Sequence, residues 1–300
     1  MKSSSTVFLA AFLALSASWA GFVLVPQLQL GRVDQAKTVP TGDNYPLARA
    51  GLAAQGAAVY RSLGCVYCHS QQVGQDGVKV EVVLLDAGTN ADNTLAAIRK
   101  VSAELGRPET FIGLPKKITE VADMNAADAL LKAVSEAGGK IEANVVPTGP
   151  DISRGWGRRR TVAQDYVYDA VVQIGTRRAG PDLANVGTRR ADPNWQLRHL
   201  YAPAAEIPGS TMPPYRFLFQ ERKLKFGQHS SPDAIPLVTA GKFLDVSKDT
   251  GPADREIVPT EQARVLVAYL LSLQADAPLF ESPVTPPPAP VVTTNVVVAK

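Results

Sequence analysis

Soft metal-binding side chains are scarce in this chain: 300 residues hold two cysteines, three histidines and three methionines. A closed structural zinc site wants four ligands, so zinc would have to recruit the distant His199 and His229 to whatever the cysteines supply. Charge of one sign is lacking too. Lys and Arg number 31 against 28 Asp and Glu, a net charge of +3, and the basic residues fall in scattered pairs. That balance implies no nucleic-acid partner and names no substrate. Nothing else is unusual: 45% apolar and 20% charged residues are ordinary for a chain that buries a core, as one large domain or two small ones.

Charge is absent altogether from Ser3 to Leu30, and Thr6 to Val25 alone provides about the twenty apolar residues that cross a bilayer. Lys2 before it predicts the positive end inside and everything from Gln27 onward outside. A cleaved signal peptide is the competing reading, with Val7 to Leu15 as its apolar core and "SWA" ending at Ala20 as the cleavage site. The apolar run continues through Gly21 to Val25, which favours a retained anchor. Both readings export the rest of the chain.

Both cysteines and one histidine occupy a single stretch, "SLGCVYCHSQQ", Ser62 to Gln72. In an oxidising compartment Cys65 and Cys68 could form a small disulfide, but C-x-x-C followed directly by His is the attachment pattern of haem c. The spacing has a chemical reason: both sulfurs lie on one face of a helical turn, where they can add to the two vinyl groups of one porphyrin. His69 is then carried beneath the iron as proximal ligand. A thioredoxin-like redox pair would need a preceding strand and a βαβ frame, and neither is evident.

A haem used for electron transfer takes a sixth ligand, and Met raises its potential. Met1 is at the wrong end. Met124 lies in "TEVADMNAADALL", just before a helix, and reads as structural. Met212 lies in "PGSTMPPYRF", where prolines hold a loop, and is the expected ligand; core filling is the alternative.

Leu52 to Leu63 reads as a helix leading into the haem motif, and Pro259 to Leu273 as a second amphipathic helix. These surroundings resemble a cytochrome c, whose first and last helices cross by packing a small residue against aromatics; Gly56, Tyr60 and Tyr269 are candidates here. "AGPDLANVG", Ala179 to Gly187, resembles the Gly-Pro-x-Leu segment of cytochromes c. That likeness implies a Pro181 carbonyl accepting the proximal imidazole proton and fixing the ring.

A narrower resemblance follows from "GCVYCHSQQV", "GWGRRRTVAQDYVYDAVVQIGTRRAGPDLANVG", "NWQLRHLYAP" and "PGSTMPPYRFLF", with the N-terminal apolar run into "VPQL". Together they resemble the mono-haem cytochrome c subunit, subunit II, of cbb3-type cytochrome c oxidases, over roughly residues 1–76 and 150–275. The likeness implies one covalent haem c on Cys65 and Cys68, with His69 and Met212 as axial ligands. It implies a bacterial inner-membrane protein with a single N-terminal helix and a periplasmic haem domain. Its partners would be the catalytic haem-b/copper subunit and a further cytochrome c subunit. The chain would relay electrons without binding oxygen or being catalytic alone.

The stretch from His69 to Met212 is too long for a small cytochrome c, and removing residues 77–149 restores an ordinary length. Within it "VKVEVVLLDAG" and "KIEANVV" read as strands, "NADNTLAAIRKVSAELG" and "NAADALLKAVSEAGG" as helices. This order is similar to the C-terminal domain of the bacterial ribosomal stalk protein. The insert is either surface decoration or a docking module.

The expected fold is therefore mainly α: a class I-like cytochrome c domain, 44–76 with 150–275, on an N-terminal transmembrane helix within 1–30, with a small α+β domain inserted at 77–149. Residues 276–300 read as a Pro-rich disordered tail. Arg158 to Arg160, Arg177 with Arg178, and Arg189 with Arg190 read as solvated charge or as partners of haem propionates. Arg178, near Pro181, and Arg216, near Met212, are the candidates for the propionate role. Trp195 and Tyr215 either donate to propionates or pack the haem edge. His199 reads as a core histidine and His229 as a surface one. Beside the oxidase relay stand an independent electron-shuttling cytochrome c and a haem-bearing interaction or sensor module.

Overall fold

The computed structural model describes residues 2–30, 33–39, 41–107, 110, 112–225, 228–239, 241–243 and 255–284. The chain forms two compact units: residues up to 48 with 162–172, and residues 49–161 with those from 173 onward.

In the first unit the uncharged N-terminal run is helical. Helix α1 (Lys2–Trp19) passes through a wide turn at Ala20–Leu24 into α2 (Val25–Leu30). Ser4–Gln29 is long and apolar enough to cross a membrane, with mean hydropathy 2.1, and nearly all its side chains are exposed. Two short strands, β1 (Ala36–Lys37) and β2 (Asn44–Tyr45), pair antiparallel, and the Tyr45 hydroxyl donates to Asp165 Oδ1 at 2.7 Å.

The second unit begins with α3 (Gly51–Ser62), which crosses the last helix, α10 (Glu261–Ser272). Thr260 caps α10 by accepting from the Ala263 N–H, satisfying one of the free donors of the first turn. Gly56 is the crossing point. A Cβ there would lie 1.9 Å from the Val265 carbonyl oxygen, so any side chain would force the helices apart. The tilted Tyr60–Tyr269 ring pair, 5.3 Å between centroids, packs beside it, as the sequence suggested. Such a pair contributes about 0.5–1.5 kcal/mol beyond its buried area. Around this crossing Leu183, Val186, Leu197, Leu200, Leu218 and Leu266 form the core.

Residues 77–148, expected from sequence to be an insert, form an antiparallel sheet with helices packed on it. Strand β3 (Gly77–Asp86) is followed by α4 (Ala91–Val101), β4 (Lys116–Val121), α5 (Met124–Glu136) and β5 (Lys140–Thr148), giving the strand order β4-β3-β5. Asn90 and Asp123 cap the two helices. Alternation in β3 turns Val80, Val82 and Leu84 inward onto Ile98, Leu130 and Val134. The opposite face carries Lys79, Glu81 and Lys117, with Glu120 bridging both lysines at 2.8 and 2.5 Å.

Beyond the insert come α6 (Pro150–Ser153), α7 (Val186–Arg189), α8 (Pro193–Tyr201) and α9 (Pro203–Glu206). The remaining strands are β6 (Phe219–Lys223), the β7 (Val238–Thr239) and β8 (Lys242–Phe243) pair, and β9 (Arg255–Pro259), which pairs with β6. The fold is thus mixed α/β, not mainly α as the sequence suggested. β4 escaped because "KKITEV" buries no residue fully. In β6, four of five positions are exposed, so neither strand shows a strong period-two pattern.

Residues 276–284, read from sequence as the start of a disordered tail, are held to the fold at some positions. Leu279 and Ser282 are buried, and the wholly buried Arg159 donates from Nε to the Ala277 carbonyl at 2.6 Å. Arg159 is therefore a core clasp rather than solvated charge. Residues 285–300 of that expected tail, and Met1, lie outside the described residues.

Candidate functional site

Helix α3 ends at Leu63, and Gly64 turns the chain with φ of +73°, a conformation that favours glycine. The next residues, Cys65–Tyr67, wind into a tight 3₁₀ turn, and the N–H groups of Cys68 and His69 both reach back to the Cys65 carbonyl, at 3.2 and 3.0 Å. Cys65, Cys68 and His69 thus stand on one short hydrogen-bonded backbone turn. Both cysteines are free.

The imidazole is fixed from the far side of the sequence. His69 Nδ1 lies 2.8 Å from the Pro181 carbonyl oxygen. A carbonyl only accepts, so Nδ1 carries the proton and Nε2 keeps its lone pair, the form that ligates a metal. Gly180 lies flat against the ring: a Cβ there would sit 2.3 Å from His69 Cε1. Burial depresses the His69 pKa below the usual histidine range, with the Pro181 hydrogen bond acting the other way.

Asp182, fully buried, holds this pair of segments together. It accepts from the Ser70 hydroxyl (2.6 Å), the Gln72 N–H (2.7 Å) and the Ala184 N–H (2.8 Å), so its two oxygens tie the residues after the cysteine turn to the Gly-Pro segment. Sequence reasoning missed both Asp182 and Gly180. Their signal was present, since a turn-forming Gly-Pro-Asp directly surrounds the residue that was chosen.

Cys65, Met212 and Tyr215 pack against one and the same buried core. Burial pushes the Cys65 thiol up to about 11 and the Tyr215 phenol up to about 12, so both are protonated at neutral pH. Met212 stands in the expected loop, its N–H on the Ser210 hydroxyl at 3.3 Å. Met124 is exposed at the start of α5 in the insert.

The arginines singled out from sequence have protein partners. Arg178 places Nη1 2.8 and 2.7 Å from the two oxygens of buried Asp151 and gives Nη2 to the Gln72 carbonyl. Asp151 also accepts from the Gly74 N–H at 2.7 Å, so Arg178 clasps the post-cysteine segment to α6. Arg216 lies over the Tyr201 ring, 5.4 Å from its centroid. Trp195 is half-buried on α8 and stacks on His199, while His229 is exposed.

Haem c fits this donor set. The cysteines are unpaired, the one imidazole nitrogen not hydrogen-bonded to Pro181 has its lone pair free, and glycine stands where a side chain would displace the ring. Zinc does not fit as well, since among the described residues no three His, Cys, Asp or Glu side chains gather to hold a metal.

Residues 147–240 match the family model described as "Cytochrome C oxidase, mono-heme subunit/FixO". No curated protein matches the chain. The matched stretch contains Pro181, Asp182, His199, Met212 and Tyr215, and the C-x-x-C-H turn lies before it. The chain is therefore similar over that stretch to the mono-haem cytochrome subunit of an oxidase.

Proposed function

We propose that this chain is a membrane-anchored mono-haem c-type cytochrome that relays electrons to the catalytic subunit of a cbb3-type terminal oxidase. The observation that carries the reading is an imidazole in a C-x-x-C-H turn whose Nδ1 is fixed by Pro181, within a chain matched at 147–240 to an oxidase mono-heme subunit. Cys65 and Cys68 would hold the porphyrin covalently, and His69 and Met212 would hold its iron. The haem supplies a one-electron couple when bound.

The protein's share is positional. Pro181 orients the His69 ring and keeps its tautomer, Gly180 makes room for it, and Asp182 with the Asp151–Arg178 clasp holds the two segments in register. Tyr215 and the surrounding leucines exclude water from the Cys65 side. The N-terminal span would anchor the chain in a bacterial inner membrane, with the haem domain in the periplasm. The inserted sheet-and-helix unit reads as an accessory domain, and the catalytic haem-b/copper subunit carries the oxygen chemistry.

The test is gentle detergent extraction of membranes carrying a tagged copy, followed by a reduced-minus-oxidised spectrum of what co-purifies. Haem b signals and oxygen consumption alongside haem c are expected. Haem c alone would make the chain an independent electron shuttle, and no haem at all would overturn the assignment.

A further inference from the structure

The end of β5 borders a cavity of about 360 Å³. Small-molecule sites are usually roughly 300–1,000 Å³. Val145, Val146 and Pro147 of β5 and Ile152 of α6 give the cavity an apolar wall, while Arg158, Asn185, Arg189 and Asp276 bring polar groups to the same lining. Cys65, Cys68, His69 and Met212 are not among the residues that line it, so it is separate from the candidate haem site.

Two of these lining side chains carry an unmatched polar atom. Among the described residues nothing hydrogen-bonds Asn185 Oδ1 or Arg189 Nε, and both atoms are buried. Asn185 is only 2% exposed and spends its Nδ2 on the Trp156 carbonyl at 3.3 Å, while Arg189 spends Nη2 on the Asp182 carbonyl. The Arg189 N–H donates to the Asn185 carbonyl at 3.1 Å, so the two residues stand one helical turn apart, a spacing that puts side chains on one face. The backbone also sets a carboxylate beside them: the Ala275 N–H donates to the Ala184 carbonyl at 3.1 Å, which brings Asp276 alongside Asn185, and Arg159 holds the Ala277 carbonyl just beyond. A buried donor or acceptor left unsatisfied costs about 1–3 kcal/mol, so an unmatched donor and an unmatched acceptor in one lining point to a ligand that supplies both complements.

We propose that this cavity binds a free α-amino acid with an aliphatic side chain. The α-carboxylate accepts from Arg189 Nε and is neutralised by Arg189 and Arg158. The α-ammonium donates to Asn185 Oδ1 and pairs with Asp276, and the aliphatic side chain lies on Val145, Val146, Pro147 and Ile152. Each end of the ligand thereby meets the opposite charge, which burying a charge requires, and a charged side chain is rejected because it would be desolvated against the apolar wall. Binding there requires no haem.

The experiment is isothermal titration of the full-length protein in detergent with L-leucine, with 4-methylpentanoate, which has the same body without the ammonium, and with L-glutamate. Saturable binding of leucine is expected, roughly tenfold or more tighter than either comparison compound, since hydrogen bonds to charged groups are worth that much. Arg189→Gln, which removes the charge that meets the carboxylate, and Val146→Phe, which fills the apolar wall, should each weaken leucine by a similar factor. No saturable heat with leucine would mean that the cavity holds water alone and would overturn the proposal. So would 4-methylpentanoate or glutamate binding as tightly as leucine, or leucine affinity unchanged in either variant. Should Arg189→Gln fail to fold, Asp276→Asn reads the same loss at the ammonium end.

Discussion

The Nδ1 atom of His69 and the carbonyl oxygen of Pro181 are 2.8 Å apart across 112 positions of sequence. One imidazole orientation is thereby set by a backbone atom, which no side-chain substitution at position 181 can neutralise while the backbone path holds. The support for that path comes from neighbours, and it is there that substitution should act.

Gly180→Ala places a methyl 2.3 Å from His69 Cε1, closer than any carbon contact tolerates. The ring or the Gly-Pro segment must move, at a cost of about 1–3 kcal/mol or more. Haem staining of denatured gels should show much weaker covalent haem than wild type. Staining of equal strength would mean that the ring has room the structure denies it.

Asp182→Ala removes the acceptor for Ser70, Gln72 and Ala184 at a wholly buried site. Stranded donors cost about 1–3 kcal/mol each, part of which relaxation recovers. Urea unfolding of the haem-loaded protein should show stability reduced by about 3 kcal/mol, and Asp182→Asn by less because one acceptor oxygen survives. An unchanged midpoint would refute the clasp.

Excision of residues 77–148 should leave haem attachment intact. The ends of the insert already meet: Gly77 pairs with Thr148, and the Asp76 N–H donates to the Thr148 carbonyl at 2.9 Å. The insert also has a core of its own around Val82, Ile98 and Val134. Haem-stained bands from the shortened chain test this, and their disappearance would make the insert part of the cytochrome fold.

Acid should destabilise the protein through His199. Burial holds its folded pKa at about 4, below the ordinary 6.5, so between those values the unfolded chain binds a proton that the folded chain does not. Stability is then full above the unfolded pKa and falls as pH drops from about 6.5 to about 4. Urea midpoints measured across that window should decline in wild type and decline less in His199→Gln. Parallel slopes would mean that the ring is charged or exposed in the folded state.

Much of the site was legible because its signals are local. Cys65, Cys68 and His69 lie within one helical turn, where spacing alone sets which atoms share a face. Gly56, Tyr60 and Tyr269 were readable because helical periodicity marks the faces that meet. Arg178 was legible as a residue worth choosing but not in its partner: Asp151 lies 27 positions away, on α6 beyond the insert, and electrostatics at that separation depends on the path of the chain.

By itself the sequence determined the apolar N-terminal run, the C-x-x-C-H turn and the two crossing helices, since each follows from composition or from spacing within a few residues. Tertiary structure alone decided that Asp182 ties Ser70 to Ala184, that Arg159 is buried and donates to the Ala277 carbonyl, and that Leu279 and Ser282 are buried. These relations join residues far apart in the chain. Their energies arise from desolvation and hydrogen-bond pairing, which exist only once folding has brought the groups together and removed water from between them.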